Sequence, residues 1–268
     1  MLKGPNTPPP PKVSAAERAE TVRRAAIIGL AHWGHLRCAE LARVVWPNAK
    51  YSEQLCQRLV CKLENEGLIH IRLNSVGTRS FVLTRRGAAL AQAMGIDARH
   101  GLDLSSVSGA TFIHRSLATR YGIEMQIKGI QAYGEHAMAG KACPLNRETI
   151  HKALNKLPDL ILINKTRINW VEVESSAKTK DEIKKCLRIA TECGKFFPNS
   201  KLELHTLTFV CDNRLNHESR IRKAAAELWG ELHLKERASF LSRVKIVHVK
   251  LGPCSAWKEF SQPQNLTM

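Results

Sequence analysis

No stretch of the 268 residues is apolar for the roughly 18 positions that a membrane-spanning helix requires. The start of the chain has no apolar core of the signal-peptide kind, so a cytoplasmic protein without a membrane span is expected. Eight cysteines are present, yet no two form a Cys-x-x-Cys pair. Scattered in this way they read as small apolar residues in a reducing compartment, with no disulfides. No His-x-His pair and no internal repeat occur, and tyrosine is found only three times. What the chain most lacks is negative charge: 24 Asp and Glu stand against 41 Lys and Arg, leaving a net charge of +17. An excess of that size points to a polyanionic partner, nucleic acid ahead of an acidic membrane surface. It is spread along the chain, +8 within residues 1–95 and +9 in the remainder.

Residues 1–13, with Pro5 and the run Pro8 to Pro11, read as a disordered leader. Three helices are expected next, from Ala15 to about Leu30, from Arg37 to Val45, and from Ser52 to Glu66 with Ser52 as N-cap. Leu68 to Leu73 and Ser80 to Leu83 are strand-like, joined by a turn containing Gly77. Three helices, a basic hairpin and the closing segment RSFVLTRRGAALAQAMG resemble a winged helix-turn-helix over residues 14–95. The resemblance implies that the third helix enters the major groove of double-stranded DNA. Tyr51, Gln54, Gln57, Arg58 and Lys62 would meet the DNA there, while Arg72, Arg79, Arg85 and Arg86 hold phosphates around the wing. His32, His35 and Cys38 have the spacing of zinc ligands, but no fourth ligand stands nearby and they read as packing around Trp33.

Residues 96–110 read as a linker, followed by a long helix from Thr111 to about Glu135, with a candidate break at Gly122. His114 on that helix reads as a surface or core residue, and residues 134–156 read as irregular. Then comes LPDLILINKTRINWVEVESSAK, residues 157–178. Two apolar runs flank a polar turn, which predicts a hairpin pairing 164 with 167, 163 with 168, and hence Asp159 with Glu172. Alternation places Glu174 on the face of Glu172, with Val171 and Val173 pointing the other way into a core. Three carboxylates gathered at one hairpin edge repel one another unless a cation sits between them. That requirement suggests Mg²⁺ or Mn²⁺, which suit carboxylate oxygens. A helix over Thr179 to Phe196, a strand from Leu202 to Cys211, a helix from Ser219 to Glu236, a strand from Val244 to Leu251 and a tail over 253–268 complete the expectation.

The fold class expected is therefore α/β of the α+β kind. A Pro-Asp pair heading one strand and an acid pair on the next resemble the PD-(D/E)xK nuclease fold, a restriction-endonuclease-like mixed sheet over residues 111–252. The resemblance implies that Asp159, Glu172 and Glu174 bind the metal ion, with Glu124 as an additional metal-binding acid. The third motif position, usually Lys, is Glu174, and Lys178 is the candidate for the missing positive charge.

With the winged helix and the His-led segment HRSLATRYGIE, the chain as a whole resembles the MobC/TraX-type plasmid relaxases, the replication-relaxation family. That resemblance implies a nickase acting at an origin of transfer through metal and water, without a covalent tyrosine. It also implies an accessory mobilisation protein and a secretion coupling protein as partners. The alternative, favoured by the missing lysine, is a non-catalytic DNA-binding regulator or origin-binding accessory factor on an inactive nuclease frame.

Overall fold

Ser14 starts the first helix, α1 (Ala15–Trp33), by a reciprocal capping pair with Glu17, and Gly34 ends it with a positive φ of 79°. The computed structural model describes residues 14–74, 76–176, 178–212, 216–250 and 259–266, so the expected leader lies outside the described residues. The chain is a mixed α/β fold with two sheets. After α1 come β1 (His35–Leu36), α2 (Cys38–Val45), α3 (Ser52–Asn65), β2 (Ile69–Leu73), β3 (Arg79–Leu83) and α4 (Arg85–Ala93). Tyr51, rather than Ser52, occupies the cap of α3, without a side-chain bond. Asn74 ties the β2–β3 turn by bonding Thr78 and Ser80, with Gly77 supplying the positive φ. The three strands form a small sheet in the order β1-β3-β2.

The second sheet follows α5 (Gly109–Ile127) and contains β4 (Gln131–Gly134), β5 (Leu160–Asn164), β6 (Arg167–Glu174), β7 (Glu203–Asp212), β8 (Val244–Lys250), β9 (Glu259–Phe260) and β10 (Gln264–Asn265). Its order is β10-β8-β7-β6-β5-β4, with β9 beside β8. Strands β4, β5 and β6 form an antiparallel meander, and β6, β7 and β8 run parallel. Connecting helices are α6 (Glu135–Ala139), α7 (Arg147–Leu154), α8 (Lys180–Arg188), α9 (His217–Glu231) and α10 (Leu234–Arg243).

Several expected elements differ. The helix expected to reach Glu135 stops at Ile127, because Gly129 turns the chain with a φ of 80° into β4. Gly122 does not break α5; a Cβ there would lie 2.3 Å from the Trp33 ring, so the glycine admits that ring against the helix. Residues 134–156 contain α6 and α7 rather than irregular chain. The helix expected to Phe196 gives way after Arg188 to a 3₁₀ turn, Ile189–Glu192, and the one expected to Glu236 divides into α9 and α10. The expected tail carries β9 and β10, anchored by Phe260, which sits 5.2 Å from the Tyr121 ring, and by buried Leu266. The linker segment is packed: Ala98 and Leu104 are buried, and Asp97 accepts the Lys141 N–H at 2.6 Å.

The sheet face bearing Leu160, Val171 and Val173 shares one core with Ile27, Leu30 and Trp33 of α1 and Tyr121 of α5. Each fully buried Leu or Ile in it stabilises the fold by about 2 kcal/mol. The opposite face, with Ile161, Trp170 and Phe209, packs on α8 and α9 through Ile183, Leu187 and Leu228. A buried ionic group also joins the two parts of the chain: Glu40 of α2 accepts from Arg37, Ser116 and Arg120, the last two on α5.

Candidate functional site

The hairpin pairs in the expected register, Asn164 with Arg167 and Ile163 with Ile168. The regular register ends at Leu160 with Val171: the Asp159 N–H bonds the Val171 carbonyl at 3.1 Å, so Asp159 is not set opposite Glu172 as expected. Glu172 and Glu174 follow Ile168 and Trp170 on the face towards α8, and both are buried, while Val171 and Val173 lie in the core on the other face. The convergence of all three carboxylates is nevertheless divided. Asp159 reaches towards α5, where the Nε2 of His114 stands 2.9 Å from its Oδ1, and its Oδ2 accepts the Val173 N–H at 2.7 Å.

Glu172 faces the α8 side. The Nζ of Lys156, early in the segment between α7 and β5, donates to its two oxygens at 2.5 and 2.6 Å. The Trp170 indole N–H donates to Oε1 at 2.7 Å, and the Cys186 thiol approaches Oε2 at 3.6 Å. Glu174 accepts from Lys178 at 2.7 Å, and that same ammonium lies 3.7 Å from Glu172. The cations that make the carboxylate cluster tolerable are therefore two lysines and a histidine of the chain itself.

Their titration follows from this arrangement. Burial works against the charge on His114, but the hydrogen bond and charge of Asp159 raise its pKa above the ordinary 6.5. Burial likewise opposes ionisation of Asp159, and the His114 and Val173 bonds outweigh it, holding the acid below its usual range. Glu174 is pushed up by burial, with Glu172 and Asp159 adding to the effect and Lys178 opposing it. Lys178 loses to burial and gains more from Glu174 and Glu172, so its pKa rises.

By type, the donors suit a hard divalent ion such as Mg²⁺ or Mn²⁺. By placement they do not: among the described residues no group of three or more His, Cys, Asp or Glu is gathered to hold a metal. Glu124, expected as a further metal-binding acid, lies outside the cluster. Two guanidinium nitrogens of Arg43 bond its carboxylate at 2.7 and 3.0 Å, and ten residues of α5, about 15 Å of helix rise, separate it from His114. The histidine spacing near Trp33 does not assemble a zinc site either. The Nε2 of His32 lies 2.6 Å from the carbonyl of Ala132, and the Cys38 thiol faces the carbonyl of Glu53.

The expected DNA-contacting residues stand where a partner can reach them. Tyr51, Gln54, Arg58 and Lys62 recur at helical spacing along α3, with Gln57 beside them, all exposed; Cys56, Val60 and Leu63 on the other side are buried. Arg72 and Arg79 are exposed on the β2–β3 hairpin, and Arg85 and Arg86 are exposed on the first turn of α4.

Two cavities flank the acids. One of about 620 Å³ runs along α5 to His114 and Asp159, and one of about 960 Å³ opens over Lys156, Lys178 and α8. Sequence reasoning missed Lys156 and the pairing of His114. The only signal for Lys156 is a lone basic residue three positions ahead of Asp159 in a stretch without periodicity.

Comparison with protein-family models, with curated proteins and with solved structures gives no match to this chain. No described helix is long and apolar enough to cross a membrane.

Proposed function

We propose that this chain binds a specific site on double-stranded DNA, reading it with a winged helix-turn-helix formed by α1 to α4 and the β2–β3 hairpin. The observation that carries the reading is the exposed polar stripe of α3, backed by exposed arginines on the hairpin and α4, in a chain with a net charge of +17. Arg58→Gln is expected to weaken duplex binding and to lower the slope of log affinity against log salt by about one phosphate contact. Unchanged affinity and slope in gel-shift titrations of Arg58→Gln and Lys62→Gln would reject the reader.

On this reading the seven-stranded sheet is a restriction-endonuclease-like frame, and the protein is a hydrolytic, relaxase-like nickase of a mobile element. What favours it is Lys178, whose ammonium lies beside both Glu174 and Glu172, the place where a motif lysine is otherwise missing. Such an enzyme calls for Mg²⁺ or Mn²⁺, which Asp159, Glu172 and Glu174 as placed do not gather to hold. Two of the three tyrosines agree with a route that has no covalent adduct. Tyr121 is buried with its phenol pushed up to about 12, and Tyr51 belongs to the reading stripe.

A second reading, a DNA-binding regulator or origin-binding accessory factor without catalysis, is favoured by Lys156 and Trp170, which already occupy the oxygens of Glu172. Supercoiled plasmid incubated with Mg²⁺ or Mn²⁺ separates the two. Open circles from the wild type, absent with Asp159→Ala and Glu172→Ala, support the nickase; equal traces from all three proteins leave the regulator.

A further inference from the structure

Cys38 opens α2 half-buried against the neighbouring helix α3, its thiol 3.7 Å from the carbonyl oxygen of Glu53. One turn further along α3, buried Cys56 stands within hydrogen-bonding reach of the same thiol. Cys56 belongs to the core that α1, α2 and α3 share, and Cys38 packs on its edge. Both thiols are free. The pair is chemically unequal. The hydrogen bond with Cys56 lowers the Cys38 pKa from the ordinary 9.0, against burial and the Glu53 carboxylate. A place at a helix N-terminus also favours the thiolate. Cys56 is raised by its bond to Cys38, then by burial and by the charges of Cys38 and Glu53. Burial pushes the thiols of Cys143, Cys186, Cys193 and Cys211 up as well, away from the reactive form.

We infer that Cys38 and Cys56 are an oxidation site, which hydrogen peroxide closes to a disulfide tying α2 to α3. An accessible thiolate attacks peroxide, and a thiol at its side resolves the product. The Cys38 thiolate bonds one peroxide oxygen, the O–O bond breaks, and the departing hydroxide takes up the proton that Cys38 had released. Cys38 is now a neutral sulfenic acid, so the thiolate that held the Cys56 proton in place is gone. The Cys56 sulfur attacks the Cys38 sulfur, the S–O bond breaks, and the leaving hydroxide carries off the Cys56 proton as a second water. The two sulfurs together lose two electrons, and the peroxide gains them. A covalent bond in place of a hydrogen bond draws the first turn of α2 onto α3 and shifts the exposed stripe on the far side of that helix. The consequence for DNA rests on the proposed reading of α3; the bond itself does not.

The full chain is treated with hydrogen peroxide, alkylated and mapped as peptides without reduction. A single intrachain bond between Cys38 and Cys56, reversed by dithiothreitol, is the expected result. In Cys56→Ala the oxidation should stop at a Cys38 sulfenic acid that dimedone traps. Peroxide that leaves both thiols open to alkylation, or that first oxidises exposed Cys61 or links two chains through it, overturns the inference. Anisotropy of a labelled duplex reads the consequence. The oxidised protein is expected to bind about tenfold more weakly, the cost of about one base contact, and to recover with dithiothreitol, while Cys56→Ala does not respond. An unchanged affinity once the bond has formed, with Arg58→Gln still weakening the reduced protein, overturns the control of α3. Duplex binding that Arg58→Gln leaves untouched rejects the reader instead, and the peptide map still decides the thiol pair.

Discussion

Lys156 and Glu172 form the closest ionic contact at the acid end of the hairpin, an ammonium donating to both oxygens of a carboxylate that is only 1% exposed. Removing the ammonium leaves the buried carboxylate only the more distant Lys178, at 3.7 Å, as a cation, and a buried charge with a weakened partner is costly. Lys156→Met is expected to lower unfolding free energy by about 3 kcal/mol, and the double variant Lys156→Met with Glu172→Gln to regain a large part of it. Urea denaturation of the four members of the cycle provides the measurement.

His114 and Asp159 support each other's charge. Raising the His114 pKa gives stability that is full below the unfolded value of 6.5 and is lost as pH rises through the folded value. Lowering that of Asp159 gives stability present above its ordinary 3.8 and lost as pH falls through the folded value. The pair therefore contributes most between those limits. In Asp159→Asn only burial remains as the dominant influence, so the His114 imidazole is expected to titrate below 6.5 in place of above it. An NMR titration of the ring proton reads the change; a His114 pKa that stays put in the variant refutes the pairing.

Glu40 is 2% exposed and bound by Arg37 and Arg120, whose charges overcome burial and bring its pKa from 4.5 to about 2. That shift corresponds to about 3 kcal/mol of stability, present above pH 4.5 and lost as pH falls towards the folded value. Glu40→Gln should lose this increment at neutral pH and flatten the acid limb of the stability curve. Denaturation at pH values on either side of 4.5 checks it.

Trp33 lies between Gly122 of α5 and Gly134 of β4, where added Cβ atoms would stand 2.3 and 3.1 Å from its ring. Gly122→Ala is expected to cost about 2 kcal/mol through forced displacement of the indole, and Gly134→Ala less. Thermal melts followed by tryptophan fluorescence would show the order.

Legibility varied with how local the cause was. Apolar alternation and a short polar turn sufficed for the β5–β6 register, because both lie within one hairpin. Amphipathic spacing likewise located α3 and its exposed stripe. The cluster's counter-ions were another matter: Lys156 lies 16 residues from Glu172, and His114 belongs to a different element from Asp159. Neither pairing leaves a periodic trace. Gly122 misled for the same reason, since its partner Trp33 is remote in sequence and a glycine within a helix usually reads as a break.

The core that runs from α1 through Trp33 into the sheet has a mechanical meaning for any DNA held at both ends of the molecule. If α3 reads DNA as proposed, that helix and the strand-end cluster share one packed core. Whatever bending or melting carries a bound duplex from one to the other must then be absorbed by the DNA. On the proposed DNA-binding reading, flexible or easily opened steps beside the recognised sequence form part of what is selected.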